Sequence, residues 1–487
     1  MIQVTFLPDN ITVLAEPGTT LLQAQIQAGL RPDAPCGGKG TCGKCMVQIY
    51  GKTVPACRTC VYEDTKVTLP HHEGSVILSG GLSLPLRPDG LHDCAAAFDL
   101  GTTTLVGYLL DGKTGAVLAT ASAINPQIRY GADVITRIEA ALKGEGSVLQ
   151  QCILEALEQL LTELSDKAEI NAADIDLISV AGNTAMHHLL LGIDPQSLAT
   201  PPYMPAVRDA IEMDAASLLP ICPRAALRIL PNIAGFVGGD TVACMTAVDF
   251  DRLEELTLML DIGTNGEIVL GNKCRRIACS SAAGPAFEGA RISMGMRGSP
   301  GAIDHVWIEG GKICHHTIGG GEAQGLCGSG LLDLAACLLE LGILDESGYL
   351  DGKEYTIPGT TVILTQKDIR EVQLAKAAIR AGIELSCSHL GVEPVGIHFV
   401  LLAGAFGSHL DPRSACRIGM IPPVLLGRIF SIGNAAGEGA KHCAVNREAY
   451  EYSKRLAAET EFLELASCPE FQDCFVDAME FSGEDDL

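Results

Sequence analysis

The chain has 487 residues, which at about 150 residues per domain predicts about three domains and cores of useful size. Hydrophobic residues make up 47% and charged residues 19% of it, an ordinary composition for a soluble protein. Its 34 Lys and Arg against 59 Asp and Glu leave a formal charge of −25, which argues against nucleic acid and against an anionic membrane surface as partners.

The N-terminus, MIQVTFLPDNITV, has no basic leader and alternates like a strand, unlike a signal peptide. No apolar run is long enough for a transmembrane helix, so a cytoplasmic protein is expected. Residues 1–69 read as a small β-rich unit. Val4, Phe6, Ile11 and Val13 alternate about an Asp9-Asn10 turn, a hairpin pattern. The stretch LLQAQIQAGL follows as a helix, with Thr19 or Thr20 as its N-cap. MVQIY and KVTL supply further strands, and the order suggests a β-grasp. Residues 70–93 mix Gly, Pro and Ser with short apolar runs and read as a linker, part of which packs on a domain. From Cys94 onward, strands such as AAFDLGTTTLVGYLLD alternate with helical stretches such as VLQQCILEALEQLLTELSDKAEI, the texture of an α/β domain. It is expected to divide into a first lobe over about 94–250, a second over about 251–450 and a C-terminal segment over 451–487.

Nineteen cysteines are too scattered over too long a chain for a disulfide scaffold, yet five fall within residues 36–60. Cys36, Cys42, Cys45 and Cys57 have the spacing C-x5-C-x2-C-x11-C around a Gly-rich loop. Four thiolates hold an iron–sulfur cluster, and glycines let backbone N–H groups approach its sulfurs. The spacing resembles [2Fe–2S] ferredoxins of the plant and adrenal type, although the plant type has four residues in the first gap and the fourth cysteine comes sooner than usual. A zinc site built from the pairs Cys42/Cys45 and Cys57/Cys60 is the alternative; it leaves Cys36 and the glycines unused. Cys60 competes with Cys57 as fourth ligand. Gly107–Thr114 matches the P-loop expression, but its apolar middle continues a strand and Asp111–Gly115 reads as a hairpin turn, so the match is rejected. Gly38–Gly43 matches a dinucleotide-binding pattern only inside the cysteine loop. The histidine pairs His187-His188 and His315-His316 read as surface or satisfied core residues.

Asp99-Leu-Gly101-Thr102-Thr103-Thr104 closes one apolar strand, and Asp261-Ile-Gly263-Thr264-Asn265-Gly266-Glu267 repeats the pattern in the second half. Glycine lets amides reach phosphate oxygens, Thr hydroxyls add donors, and Asp can hold Mg2+-bound water. Either motif alone is an ordinary turn; two of them, with Gly404-Ala-Phe-Gly407 behind LLA, resemble the phosphate and adenosine motifs of the actin, sugar kinase and heat-shock chaperone ATPase superfamily. Val180–Thr184 and Gly325–Gly330 resemble its connecting segments; the latter, with Gly328 and Ser329, also reads as a helix start able to receive an anion. The resemblance implies an actin-like (ribonuclease H-like) two-lobed ATPase behind the β-grasp domain. It places Asp99 and Asp261 at Mg2+ and water, the Gly, Thr and Asn residues at phosphate, and Gly404 and Gly407 at adenosine. Glu267 is the first candidate for the base that orients water and Asp240 the second.

An iron–sulfur domain ahead of such an ATPase resembles the reductive activators of corrinoid-dependent methyltransferases, a likeness that extends to NPQIRYGADVITRI (125–138) and SSAAGPAFEGARI (280–292). It implies ATP-driven reduction of cob(II)alamin to cob(I)alamin in a corrinoid protein, with one electron from the [2Fe–2S] cluster and an external low-potential donor behind it. A homodimer is open to such a protein. The competing readings are a small-molecule kinase with a redox-sensing cluster and an electron-transfer protein with a vestigial ATPase domain.

Overall fold

The computed structural model describes residues 1–7, 11–28, 30, 45–50, 52–69, 85–131, 133–263, 265–289 and 291–481. The chain divides into two compact units, Met1–Leu84 and Pro85–Leu487. The 70–84 part of the expected linker, Cys36, Cys42, the glycines between them and Thr264 lie outside the described residues. Residues 85–93 belong to the second unit, where Asp89 N–H donates to Val445 O at 3.0 Å and Arg447 N–H to Asp89 Oδ2 at 2.6 Å.

In the first unit, β1 (Ile2–Leu7) turns Ile2, Val4 and Phe6 inward. It pairs antiparallel with β2 (Ile11–Ala15). Helix α1 (Leu21–Gln27) starts at Thr20 with a reciprocal capping box to Gln23 and buries Leu21, Leu22 and Ala24. The hairpin β3 (Met46–Ile49) and β4 (Lys52–Pro55) follows, and β5 (Thr65–Thr68) returns parallel to β1. The sheet order β2-β1-β5-β3-β4, a parallel central pair flanked by hairpins with a helix packed on it, is the β-grasp.

The second unit is built twice on one plan. In its first lobe, β6 (Cys94–Leu100), β7 (Thr104–Asp111) and β8 (Val117–Ile124) form a meander. Then β9 (Leu177–Gly182) joins parallel to β6, with β10 (Ile211–Asp214) and β11 (Ala226–Ile229) beyond it. The turn after β7 is the one that mimics a P-loop: Asp111 Oδ1 accepts from Lys113 N–H at 2.9 Å and Thr114 N–H at 2.7 Å, an Asx-type hairpin turn. In the second lobe, β12 (Thr257–Ile262), β13 (Gly266–Gly271) and β14 (Arg276–Ser281) repeat the meander, and β15 (Phe399–Ala403) and β16 (Ile429–Gly433) add in parallel. A short β17 (Glu461–Phe462) closes the edge. Strand order β8-β7-β6-β9-β11 thus corresponds to β14-β13-β12-β15-β16. The central strands are almost continuously buried, as strands covered on both faces must be.

Helices α2 (Val134–Ala140), α3 (Gly146–Ala168), α4 (Thr184–Leu191) and α5 (Gly239–Ala247) belong to the first half of this unit. Helices α6 (Gly328–Glu340), α7 (Gln366–Leu390), α8 (Gly404–His409) and α9 (Ala435–Val445) follow. The expected second-lobe limit near 450 falls too late. Helix α9 packs on β6, β9 and α5, so the chain has recrossed to the first lobe by residue 435. Gly439 makes that approach possible, because a Cβ there would overlap the Ala243 carbonyl of α5. Among the described residues no helix is long and apolar enough to cross a membrane.

Candidate functional site

The turn between β6 and β7 carries Gly101–Thr104 and is tied from three directions. Gly101 N–H donates to Thr104 O at 3.1 Å, and a Cβ at Gly101 would sit 2.6 Å from that oxygen. Asn125, fully buried, donates from its backbone to Thr103 O and from Nδ2 to Gly101 O, both at 2.9 Å. Arg137 on α2 is also fully buried and gives Nη2 to Thr102 O at 2.5 Å and Nε to Gly131 O at 2.9 Å. Among the described residues no carboxylate comes within ion-pair distance of it, and burial pulls its pKa down to about 10. Asn183, the N-cap of α4, donates Nδ2 to Thr102 Oγ1 at 2.9 Å. The backbone carbonyls of the turn are therefore consumed by protein, and Thr104 is its exposed residue.

The opposite turn, between β12 and β13, closes through Gly263 N–H to Asn265 O at 2.9 Å. Gly266 is buried against Ser281 and Ile379. Helix α8 begins beside it at Gly404, whose φ is +81° and whose Cβ would lie 2.6 Å from Asp261 Oδ1. Only glycine fits this position.

Four carboxylates gather between the turns. Asp99 is the penultimate residue of β6, and Asp261 the penultimate residue of β12. Glu267 is paired directly opposite Asp261 in the β12/β13 register. Asp240 stands in the first turn of α5, its Oδ1 accepting from Thr241 N–H at 2.7 Å. All four are only partly exposed. Burial, then the charges of Asp261 and Asp240, raises Asp99 to about 7 against a bond donated by Asn434. Burial and then Asp261 raise Asp240 to about 7. Burial also raises Asp261, which accepts from the Cys244 thiol at 3.6 Å, and lifts Glu267 well above the carboxylate range, with Asp240 and Asp261 adding to it. Among the described residues none of the four has an ion-pair partner.

This donor set fits a hydrated divalent cation and the phosphates it accompanies. Among the described residues no three His, Cys, Asp or Glu side chains could hold a metal ion directly, and Mg2+ commonly keeps its waters and takes only one or two carboxylates with phosphate oxygens. Ser329 is already engaged, its hydroxyl donating to Asp304 O at 2.8 Å. The start of α6 at Gly328 therefore has backbone N–H groups, not that side chain, to offer an anion. Gly407 packs against Leu402. In the histidine pairs, His188 is satisfied by Thr184 O at 2.7 Å and Ala206 N–H at 3.0 Å, and His316 by Asp304 at 2.6 Å.

In the first unit the β3/β4 register sets Met46 against Pro55, and Ala56 N–H donates to Cys45 O at 2.7 Å. Cys45 and Cys57 are thereby carried to one end of the hairpin, Cys45 buried and Cys57 half-buried against the same core. Cys60 is exposed and pairs with Thr20 in a separate two-residue ladder. The thiols of Cys45 and Cys57 fit an iron–sulfur centre chemically. Asn125, Arg137, Asn183, Asn434 and Glu288 were not singled out by sequence reasoning as site residues. Arg137 left a signal, a charge on the apolar stripe of Val134 and Ile138, and Asn125, Asn183 and Glu288 lie inside segments that carry the family likeness without being marked individually.

A β-grasp domain followed by a duplicated, two-lobed α/β fold with carboxylates in its cleft defines an ATPase of the actin, sugar kinase and heat-shock chaperone class with an iron–sulfur domain attached. Family models match along the chain: a 2Fe-2S iron-sulfur cluster binding domain over 2–72, the RACo middle region over 94–253, and the C-terminal domain of RACo, the ASKHA domain, over 255–487. The chain belongs to the RACo family. It is 36% identical over 434 residues to the corrinoid activation enzyme RamQ of Eubacterium limosum, covering 82% of this chain and 73% of the relative. It is 27% identical over 405 residues to the Co(II) methylated amine-specific corrinoid protein reductase of Methanosarcina barkeri, covering 74% and 73%. A solved reductive activator for corrinoid, iron-sulfur protein is similar at a TM-score of 0.75 and 28% identity, over 99% of this chain and 98% of that one.

Proposed function

We propose that the protein is an ATP-dependent reductive activator that returns the cob(II) form of a methyltransferase-system corrinoid protein to cob(I). The observation that carries the nucleotide part is the convergence of four part-buried carboxylates between two Gly-containing turns of a duplicated fold. The relatives' corrinoid substrates supply the rest. When bound, the [2Fe–2S] cluster supplies one electron and MgATP supplies conformational drive. Reduction from a plant-type cluster at about −400 mV is strongly uphill. A two-state protein can aid it only by binding one state of its partner more tightly than the other.

In this reading Asp99 and Asp261 orient the waters of Mg2+ from opposite lobes. Thr102, Thr103 and Thr104, in the turn that Gly101 closes, and Thr264 and Asn265, in the turn that Gly263 and Gly266 close, present hydroxyl, amide and backbone N–H donors to phosphate. Gly404 and Gly407 keep α8 close enough for adenosine, and Gly328 offers backbone N–H groups. Glu267 and Asp240 compete for the role of orienting the attacking water. Glu267→Gln and Asp240→Asn separate them, because the one that orients water loses kcat with KM for ATP retained. Cys36, Cys42, Cys45 and Cys57 hold the cluster in the domain over 1–69. The 70–93 linker, whose 85–93 part packs with the ATPase, joins the two units in sequence, and an external low-potential donor recharges the cluster.

The test follows cob(II) to cob(I) by visible absorption on a corrinoid protein with reductant, with and without ATP. Reduction should require ATP and be lost in Asp99→Asn and Asp261→Asn while the cluster spectrum is kept. ATP hydrolysis with no change in the corrinoid would overturn the proposal.

A further inference from the structure

Glu288 ends the short 3-10 turn Pro285–Glu288, between Gly284 and Gly289 at φ of +76° and +81°. The turn is clamped on its inner side. Phe287 is buried and stacks on Phe406 of α8 at 5.2 Å between centroids and 3° between planes. A Cβ on Gly328 would overlap the Phe287 carbonyl and approach the Phe406 ring at 2.8 Å. With Phe287 fixed inward, the next side chain reaches the cleft.

There the Glu288 carboxylate stands between the two turns. Thr103 Oγ1 donates to Glu288 Oε2 at 3.4 Å, a contact from first lobe to second across 185 positions of sequence. On the far side, a Cβ on Gly263 would come within 3.8 Å of Glu288 Oε1. One oxygen faces the 101–104 turn and the other the 263–266 turn.

A Thr hydroxyl has a single proton to donate. The Thr103 proton can serve Glu288 or a phosphate oxygen, not both. A carboxylate beside phosphate is also repelled by it. We propose that Glu288 is a positioning residue of the nucleotide site, a latch between the lobes that surrenders the Thr103 hydroxyl to phosphate as nucleotide loads. The proposal rests on reading both turns as phosphate sites. Release of Glu288 is transmitted through Phe287 and its stack on Phe406 to the helix that begins at Gly404, so the same exchange reports loading to the adenosine side.

The test titrates AMPPNP with Mg2+ into the full-length protein by calorimetry, using wild type, Glu288→Ala, Glu288→Gln, Thr103→Val and the Thr103→Val/Glu288→Ala double variant. Glu288→Ala should bind about three- to tenfold more tightly than wild type, the range of one modest hydrogen bond. Glu288→Gln, which keeps the volume and loses the charge, should tighten in the same direction. On the Thr103→Val background the gain from Glu288→Ala should shrink to the part that relief of charge repulsion supplies, the non-additivity of two residues that share a contact. Affinity unchanged or weakened in both Glu288 variants overturns the latch, as does a gain that persists undiminished with Thr103→Val. Failure of the wild type to bind AMPPNP overturns the nucleotide reading itself, which separates the two.

Discussion

Asp261 and Glu267 occupy directly opposed positions on neighbouring strands, where like charges destabilise the pair. Asp99 and Asp240 add two more carboxylates to the same recess. With pKa values of about 7 in the fold against an ordinary 3.8, both bind protons that the unfolded chain has already released. The sign follows by linkage. Their protonated forms favour the folded state, fully below pH 3.8, and that contribution is lost as pH rises through about 7. In EDTA and without nucleotide, the wild type should therefore lose thermal stability between pH 6 and pH 8. Asp240→Asn, which imitates the protonated form, should flatten this profile, matching wild type only below pH 3.8 and pulling ahead as pH rises, to a Tm about 2 °C higher at pH 8. Parallel Tm–pH curves for the two proteins would refute the electrostatic account. A bound cation does what the proton does, so Mg2+ with ATP should restore wild-type stability at pH 8.

The elements that carry these residues were legible to different degrees, for physical reasons. Each phosphate-type turn joins adjacent strands, so its Asp, Gly and Thr are contiguous and the echo between Asp99 and Asp261 can be read in the sequence. The matching strand orders of the two lobes are its three-dimensional form. The residues that brace the turns are not contiguous with them. Asn125, Arg137, Asn183, Asn434 and Glu288 reach the site only after tertiary packing, and periodicity says nothing of such an approach. The return of α9 to the first lobe was hidden for the same reason, since Gly439 reads as an ordinary helical glycine until α5 is beneath it. Gly404 shows what a junction between elements demands. It links β15 to α8 at a positive φ, with Asp261 Oδ1 2.6 Å from where a Cβ would be. Gly404→Ala should cost about 1–2 kcal/mol of folding stability from backbone conformation alone. By displacing Asp261 it should also abolish ATP hydrolysis in protein that still unfolds cooperatively. Wild-type turnover in that variant would show that α8 does not position Asp261.

At the scale of the whole molecule, electron storage and nucleotide chemistry lie in separate compact units with their own cores. The β3/β4 hairpin brings Cys45 and Cys57 together without any residue of the second unit, and the four carboxylates are drawn from β6, α5, β12 and β13 without any residue of the first. Loss of the cluster should therefore leave the ATPase intact. Cys57→Ser should remove the visible and EPR signatures of a [2Fe–2S] centre and bring ATP-dependent corrinoid reduction to background, while ATP hydrolysis continues at the wild-type rate. Cys60→Ser should keep all three, because Cys60 is exposed in a ladder with Thr20. The reverse result, a normal spectrum in Cys57→Ser and none in Cys60→Ser, would transfer the fourth ligand to Cys60. Parallel loss of hydrolysis and spectrum in Cys57→Ser would mean that the two units do not work independently, and ATP would then have to be coupled to the cluster itself rather than to the corrinoid partner.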